Sequence, residues 1–244
     1  MGSRIIEADA TDLPKHCKNA DLVFADPPYN RGFDYGTGPS DDLHPAVYLG
    51  HLGTWIESAR DATRPGGMVA LLISEEWADD AGSLMTKIIG PRWNRIIWHE
   101  KFAQYTDRNF TKAHRHLFLH RRPSFKGERE IWNTDKIRVP SARMKAGDKR
   151  AAGPRVPDNV WNVRRLQGNS NDRVPGHPCQ LAPEPLTWLV DAFTDSGGLV
   201  GEQFAGVGSL TRVAVRMGRR YTGVELNPEY VSLGNQRIGI DNAN

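Results

Sequence analysis

Apolar positions along the chain fall into short solid runs separated by helix-sized amphipathic stretches. RIIEAD at residues 4–9 and ADLVFA at 20–25 are the first two runs, the second unbroken from Leu22 to Ala25. GGMVALLIS (66–74), NRIIWHEKF (94–102), GGLVGEQF (197–204) and RRYTGVEL (219–226) repeat the theme. Solid runs of this length suit strands covered on both faces, which is the habit of parallel sheets. Between them, Leu49, Leu52, Ile56 and Ala59 recur at helical spacing and predict a helix over 46–63, stopped by RPGG. Further helices are predicted over 79–89, 184–194 and 208–217. HRHLFLHRR (114–122) alternates and predicts an antiparallel strand, while EIWNT (130–134) and NVWNV (159–163) are short strand-like pieces in a turn-rich middle. Strands alternating with helices imply a doubly wound, mostly parallel α/β sheet, and 244 residues suit a single domain, 1–244, with an insertion. The least ordered stretch by composition is 142–157.

Charge changes this picture in one place. The net charge of +3 conceals a split: residues 121–173 hold 14 Lys/Arg against 6 Asp/Glu, whereas the rest holds 18 against 23. The positive excess therefore lies in one segment, either a solvated basic loop or an insertion that binds a polyanion. Two cysteines, Cys17 and Cys179, make no disulfide framework and fit a reducing compartment. The opening MGSRIIEADA lacks the regions of a signal peptide, and no run reaches the roughly 20 apolar residues of a membrane span. A cytoplasmic protein without membrane contact is the expectation.

Candidate chemistry collects at strand ends. ADLVFA stops at Asp26-Pro27-Pro28-Tyr29, because neither proline can donate a ladder hydrogen bond. An acid and a tyrosine are thereby fixed at a carboxyl end, where open α/β sheets bind ligands. GGLVGEQF runs into the turn FAGVGS (204–209), whose Gly206 and Gly208 would let a ligand approach the backbone at a helix start. The next strand ends at Glu225, spaced as an acid that accepts from ribose hydroxyls. Together these fit a nucleoside-bearing cofactor.

These residues resemble the amino-directed DNA methyltransferases. Asp26-Pro27-Pro28-Tyr29 matches their DPPY motif, and Phe204-Ala205-Gly206-Val207-Gly208 matches their FxGxG motif. PGGM before the middle strand, VWNV, and HPCQLAPEPL, similar to a segment HPTQKPEAL, extend the likeness over nearly the whole chain. With DPPY first, the basic insertion in the middle and FxGxG last, the order looks like the permuted β arrangement. The chain departs from the pattern at Glu202-Gln203, where many members carry Asp-Pro, and at Leu181, where a basic residue is common.

The resemblance implies a Rossmann-like methyltransferase fold using S-adenosyl-L-methionine, without a metal, on double-stranded DNA. Asp26 and the Pro27 carbonyl, held in direction by Pro28, would accept the hydrogens of an exocyclic amine, and Tyr29 would stack on a flipped base. Asp26 counts in both the catalytic and the cofactor-binding sets. Phe204, Gly206, Gly208 and Ser209 would hold the methionine end, Glu225 the ribose and Leu226 the adenine face. Asp9 and Ala10 would approach the adenine edge, with His177 and Gln180 covering the cofactor. Residues 125–173 would form the target-recognition insertion, with Arg143, Lys145, Lys149 and Arg150 on DNA phosphates. Adenine N6 is favoured over cytosine N4, because DPPY is more often the adenine variant. A homodimer and a cognate restriction endonuclease are compatible partners.

Other readings remain beside this one. A silent DNA-binding module could share the fold. Pro178-Cys179-Gln180 resembles the nucleophile motif of cytosine-C5 enzymes, but there the FAG turn precedes PCQ and here it follows. His99, His114, His116 and His120 raise zinc, without a Cys pair or carboxylate at ligand spacing.

Overall fold

The computed structural model describes residues 3–38, 41–100, 107, 109–150, 152–164, 166, 173–174 and 180–243. In chain order the elements are β1 (Arg4–Glu7), α1 (Leu13–His16), β2 (Ala20–Ala25), α2 (Pro45–Ala62), β3 (Thr63–Ser74), α3 (Ala78–Ile88), β4 (Arg92–Glu100) and β5 (His114–Arg121). They continue with α4 (Ala142–Lys145), β6 (Val160–Val163), α5 (Pro183–Phe193), β7 (Leu199–Gln203), α6 (Ser209–Arg216), β8 (Arg220–Glu225) and α7 (Pro228–Ala243).

The eight strands form one sheet in the order β1-β8-β7-β2-β3-β5-β4-β6. Only β5 runs against the rest, pairing antiparallel with β3 and β4. Alternate residues of each strand face two separate cores, as a pleat of period two requires. Leu22, Phe24, Met68, Leu72, Leu117 and Leu119 pack with Leu186, Phe193 and Leu210 of α5 and α6. Val23, Ala25, Val69, Leu71 and Ile73 pack with Leu52, Ile56 and Met85 of α2 and α3. Each such side chain, wholly buried, contributes about 1.5–3 kcal/mol. Burial on both faces explains the solid apolar runs.

Two expectations are corrected. RPGG follows the end of α2 at Ala62 as expected, but it lies inside the strand and not ahead of it: β3 already begins at Thr63, which pairs with Ala20. Gly66, at φ 75, lets the chain pass through this irregular start, and the register shifts before Leu22 meets Met68. EIWNT is not a strand. Trp132 instead lies over Phe193 with centroids 5.5 Å apart, so the apolar residues there serve packing rather than a ladder. Within 125–173, by contrast, β6 joins the main sheet beside β4, and Trp161 is buried. No helix among the described residues is long and apolar enough to cross a membrane.

Strand order is what builds the site. β2 lies directly beside β7, with Ala25 opposite Gln203, although the two are far apart in sequence. The turns leaving these two strands are therefore neighbours, and β8, ending at Glu225, comes next along the same edge. That edge is the carboxyl end of the parallel strands, where the order of connections reverses.

Candidate active site

Asp26 emerges half-buried from β2, and a set of side chains from other elements fixes the turn behind it. The Tyr48 hydroxyl on α2 donates to the Pro28 carbonyl at 2.8 Å, and the Trp77 indole donates to the Tyr29 carbonyl at 2.8 Å. Asn30 sits at φ 56, and Asp41 accepts from the backbone of Asn30, Arg31 and Phe33 at 2.7, 3.1 and 3.0 Å. Among the described residues none donates to the Pro27 carbonyl. The turn thus fixes the Asp26 carboxyl and leaves the carbonyl of Pro27, a buried residue, as an acceptor not used among the described residues.

The Tyr29 hydroxyl donates to Asp26 Oδ1, and Arg115 Nη1 donates to that hydroxyl at 3.3 Å. Arg115 also forms an ion pair with Glu100, and its guanidinium lies 5.5 Å from the centre of the Trp98 ring. Burial raises the Asp26 pKa, while Arg115 and the Tyr29 hydrogen bond oppose that rise and Glu100 adds to it. Burial and the Asp26 charge push the Tyr29 phenol up, which keeps it a donor. Sequence reasoning missed Arg115, Glu100, Tyr48, Trp77 and Asp41.

On the adjacent strand, Phe204 and Gly206 adopt φ 54 and 51, and Gly208 caps α6 at φ 76. Ser209 opens that helix. The Phe204 ring packs edge-on against Trp55, 5.0 Å between centroids. Glu225 accepts from Gly206 N–H at 2.8 Å and Asn227 N–H at 2.9 Å, joining the ends of β7 and β8. Each carboxylate oxygen keeps a further acceptor site. Leu226 beside it is 40% exposed, leaving an apolar surface at the same edge. Acceptors for two hydroxyls, an exposed apolar side chain and a glycine turn at a helix start fit a nucleoside with a small charged tail.

The departures from the motif have structural uses. Glu202 is buried and accepts from Leu210 N–H and Thr211 N–H at 3.1 and 2.9 Å, capping α6, while burial pushes its pKa up to about 8. Gln203 donates to the Ala10 carbonyl at 2.8 Å and the Trp55 carbonyl at 3.2 Å. Leu181 is buried in the α5 core. Asp9 caps its own short turn, accepting from Thr11 N–H at 2.8 Å, and Ala10 is buried behind it. Gln180 accepts from Val174 N–H at 2.9 Å, while His177 lies outside the described residues. In the basic segment Lys145, Lys149 and Arg150 are exposed, Arg150 paired with Asp148 at 3.0 Å; Arg143 lies on α4, its side chain outside the described set.

Fold and edge together give a Rossmann-like α/β sheet with a candidate nucleoside site beside an acid. The DNA methylase family profile matches residues 20–236, and the chain belongs to that N6/N4 family. It is 26% identical to the type II methyltransferase M.HpaI of Haemophilus parainfluenzae over 98% of this chain and 74% of that protein. It is likewise 26% identical to the DNA adenine methyltransferase YhdJ of Escherichia coli, over 97% of this chain and 82% of that one. In fold it is similar to the cytosine-N4-specific PvuII DNA methyltransferase, with TM-score 0.73, 13% identity and coverage of 100% and 93%. A putative DNA modification methylase of Thermus thermophilus, solved with S-adenosyl-L-methionine, gives TM-score 0.69 at 20% identity, covering 98% and 94%.

Proposed function

We propose that the chain moves a methyl group from S-adenosyl-L-methionine to the N6 amine of adenine in duplex DNA, the target base being rotated out of the helix to meet Asp26. The observation that carries this reading is the adjacency of the Asp26 turn and the glycine turn on neighbouring strands, which supports an amine acceptor acting next to a bound nucleoside. The DPPY sequence and the adenine specificity in the name of the E. coli relative support the choice of base.

An exocyclic amine is a poor nucleophile because its lone pair is shared with the ring. The Asp26 carboxylate and the Pro27 carbonyl accept its two hydrogens, which draws the nitrogen toward a tetrahedral shape and frees the pair. Bound S-adenosyl-L-methionine supplies an electrophilic sulfonium methyl. With the methyl and its carbon–sulfur leaving pair both supplied by that cofactor, Asp26 or water would take the surplus amine proton. Fixing both partners replaces an improbable encounter with an intramolecular step. Glu225 would accept from the ribose hydroxyls, Leu226 would pack on adenine, and Phe204, Gly206, Gly208 and Ser209 would shape the methionine end, with Asp9, Ala10, His177 and Gln180 around the cofactor. The exposed Lys145 and Lys149, with Arg143 and Arg150, contact phosphates within the 125–173 target-recognition region. A second copy and a cognate endonuclease are partners that this reading allows and does not need.

The test is to incubate the purified chain with duplex DNA and S-adenosyl-L-methionine, digest to nucleosides and weigh the methylated bases. N6-methyladenine is expected. N4-methylcytosine would keep the mechanism and overturn the base, and no mark despite cofactor binding would favour a silent DNA-binding module.

A further inference from the structure

Arg115 and Glu100 form a half-buried pair of opposite charges at the edge that carries Asp26, with side chains 19% and 18% exposed. Such a pair costs desolvation and rarely benefits the fold over apolar replacements, so its place calls for another reason. The sheet supplies the placement. β5 runs antiparallel and starts at this edge, with Arg115 between Ser74 of β3 and Trp98 of β4. The guanidinium rests over the Trp98 ring, its Nη2 engages Glu100 and its Nη1 reaches the Tyr29 hydroxyl, which in turn donates to Asp26. A rigid planar fork can serve both partners at once, which a lysine ammonium cannot do with the same geometry.

Resting on the reading of Asp26 as acceptor for the target amine, we infer that Arg115 is a positioning residue of methyl transfer, which aims the Tyr29 hydroxyl at Asp26 and keeps the Asp26 carboxyl an acceptor. A carboxyl that carried a proton would turn an O–H toward the incoming N–H and lose one of its acceptor sites. The ionisable groups facing Asp26 are Tyr29 in its own turn, Arg115 on β5, Glu100 on β4, Glu202 on β7 and Tyr48 on α2. Arg115 is the cation among them, and it opposes the upward push of burial, while Glu100 reinforces that push. Removing Arg115 and removing Glu100 should therefore move the same titration in opposite directions.

The experiment is the pH dependence of kcat/KM for duplex DNA, measured on the full chain for wild type, Arg115→Gln, Arg115→Lys and Glu100→Gln, with cofactor affinity and melting temperature in parallel. In Arg115→Gln the acid limb should move up by about one pH unit or more, so that activity falls about tenfold or more below wild type on the acid side of that limb and recovers on its alkaline side. Arg115→Lys, which keeps the charge, should hold its acid limb nearer to wild type, and Glu100→Gln should move it down. A loss in Arg115→Gln by the same factor at every pH, or an unmoved profile in folded Arg115→Gln, would overturn the inference. If Arg115→Gln fails to fold, the downward shift in Glu100→Gln carries the test, and an unmoved limb there overturns it. Absence of methyl transfer by wild type would instead strike the underlying function.

Discussion

The turn carrying Asp26 and the turn carrying Gly206 and Gly208 leave neighbouring strands, yet they are held by different means. Side chains from α2, the segment before α3, the 41–43 loop and β5 prop the first: Tyr48, Trp77, Asp41 and Arg115. The second is held by its own backbone conformations and by two carboxyl groups, Glu202 beneath it and Glu225 across it. A turn that must offer a carboxyl and a carbonyl in fixed directions needs props from outside. A turn that must offer bare backbone needs residues without bulk, and glycine provides that locally.

The largest expected effect on this contrast comes from the glycine turn. Gly208 adopts φ 76, and a Cβ there would stand 2.6 Å from Thr211 Oγ1 and 3.0 Å from Ile5 Cδ1. Gly208→Ala should cost about 2–4 kcal/mol, combining left-handed strain with overpacking, and should weaken cofactor binding. Wild-type melting and cofactor affinity would break the contrast.

Glu202 tests the carboxyl group beneath the same turn. Its ordinary value is 4.5 and burial raises it to about 8, so over that window the folded chain holds a proton that the unfolded chain has released. Its contribution to stability is therefore full below about 4.5 and declines as pH rises through 8. Relative to wild type, Glu202→Gln should gain stability with rising pH by up to a few kcal/mol. Denaturant unfolding at successive pH values checks this, and a constant difference between the two proteins would contradict it.

Smaller effects belong to the Asp26 turn and the basic segment. Tyr48→Phe removes one hydrogen bond to the Pro28 carbonyl and should cost about 1 kcal/mol, lowering kcat more than cofactor affinity. Charge reversal at Lys145 and Lys149 should weaken DNA binding slightly and reduce the slope of log affinity against log salt by about 0.9 per neutralised phosphate contact. Unchanged affinity across a salt series would make that loop a bystander.

The same contrast explains what was legible in the sequence. Solid apolar runs revealed the parallel strands and helical spacing revealed α2, α3, α5 and α6, because both patterns record local geometry. Alternation in HRHLFLHRR revealed β5 and its direction. The glycine turn was visible because its constraint is local, and DPPY because two prolines are. The order β8-β7-β2-β3 was not legible, since pairing between distant strands leaves no mark in either segment. The props of Asp26 stayed hidden for the same reason: nothing in HRHLFLHRR distinguishes a half-buried Arg115 from a solvated strand end. EIWNT misled because Trp132 satisfies the same apolar pattern by stacking on Phe193.

The most direct measurement of the central claim is single-turnover methyl transfer to duplex DNA by Asp26→Ala, at saturating cofactor and with cofactor affinity measured alongside. Loss of an acceptor aimed at the reacting group should slow the step by about a hundredfold or more, while affinity for S-adenosyl-L-methionine falls by a much smaller factor. An undiminished rate would contradict the account, because the carboxyl at the end of β2 would then have no part in activating the amine.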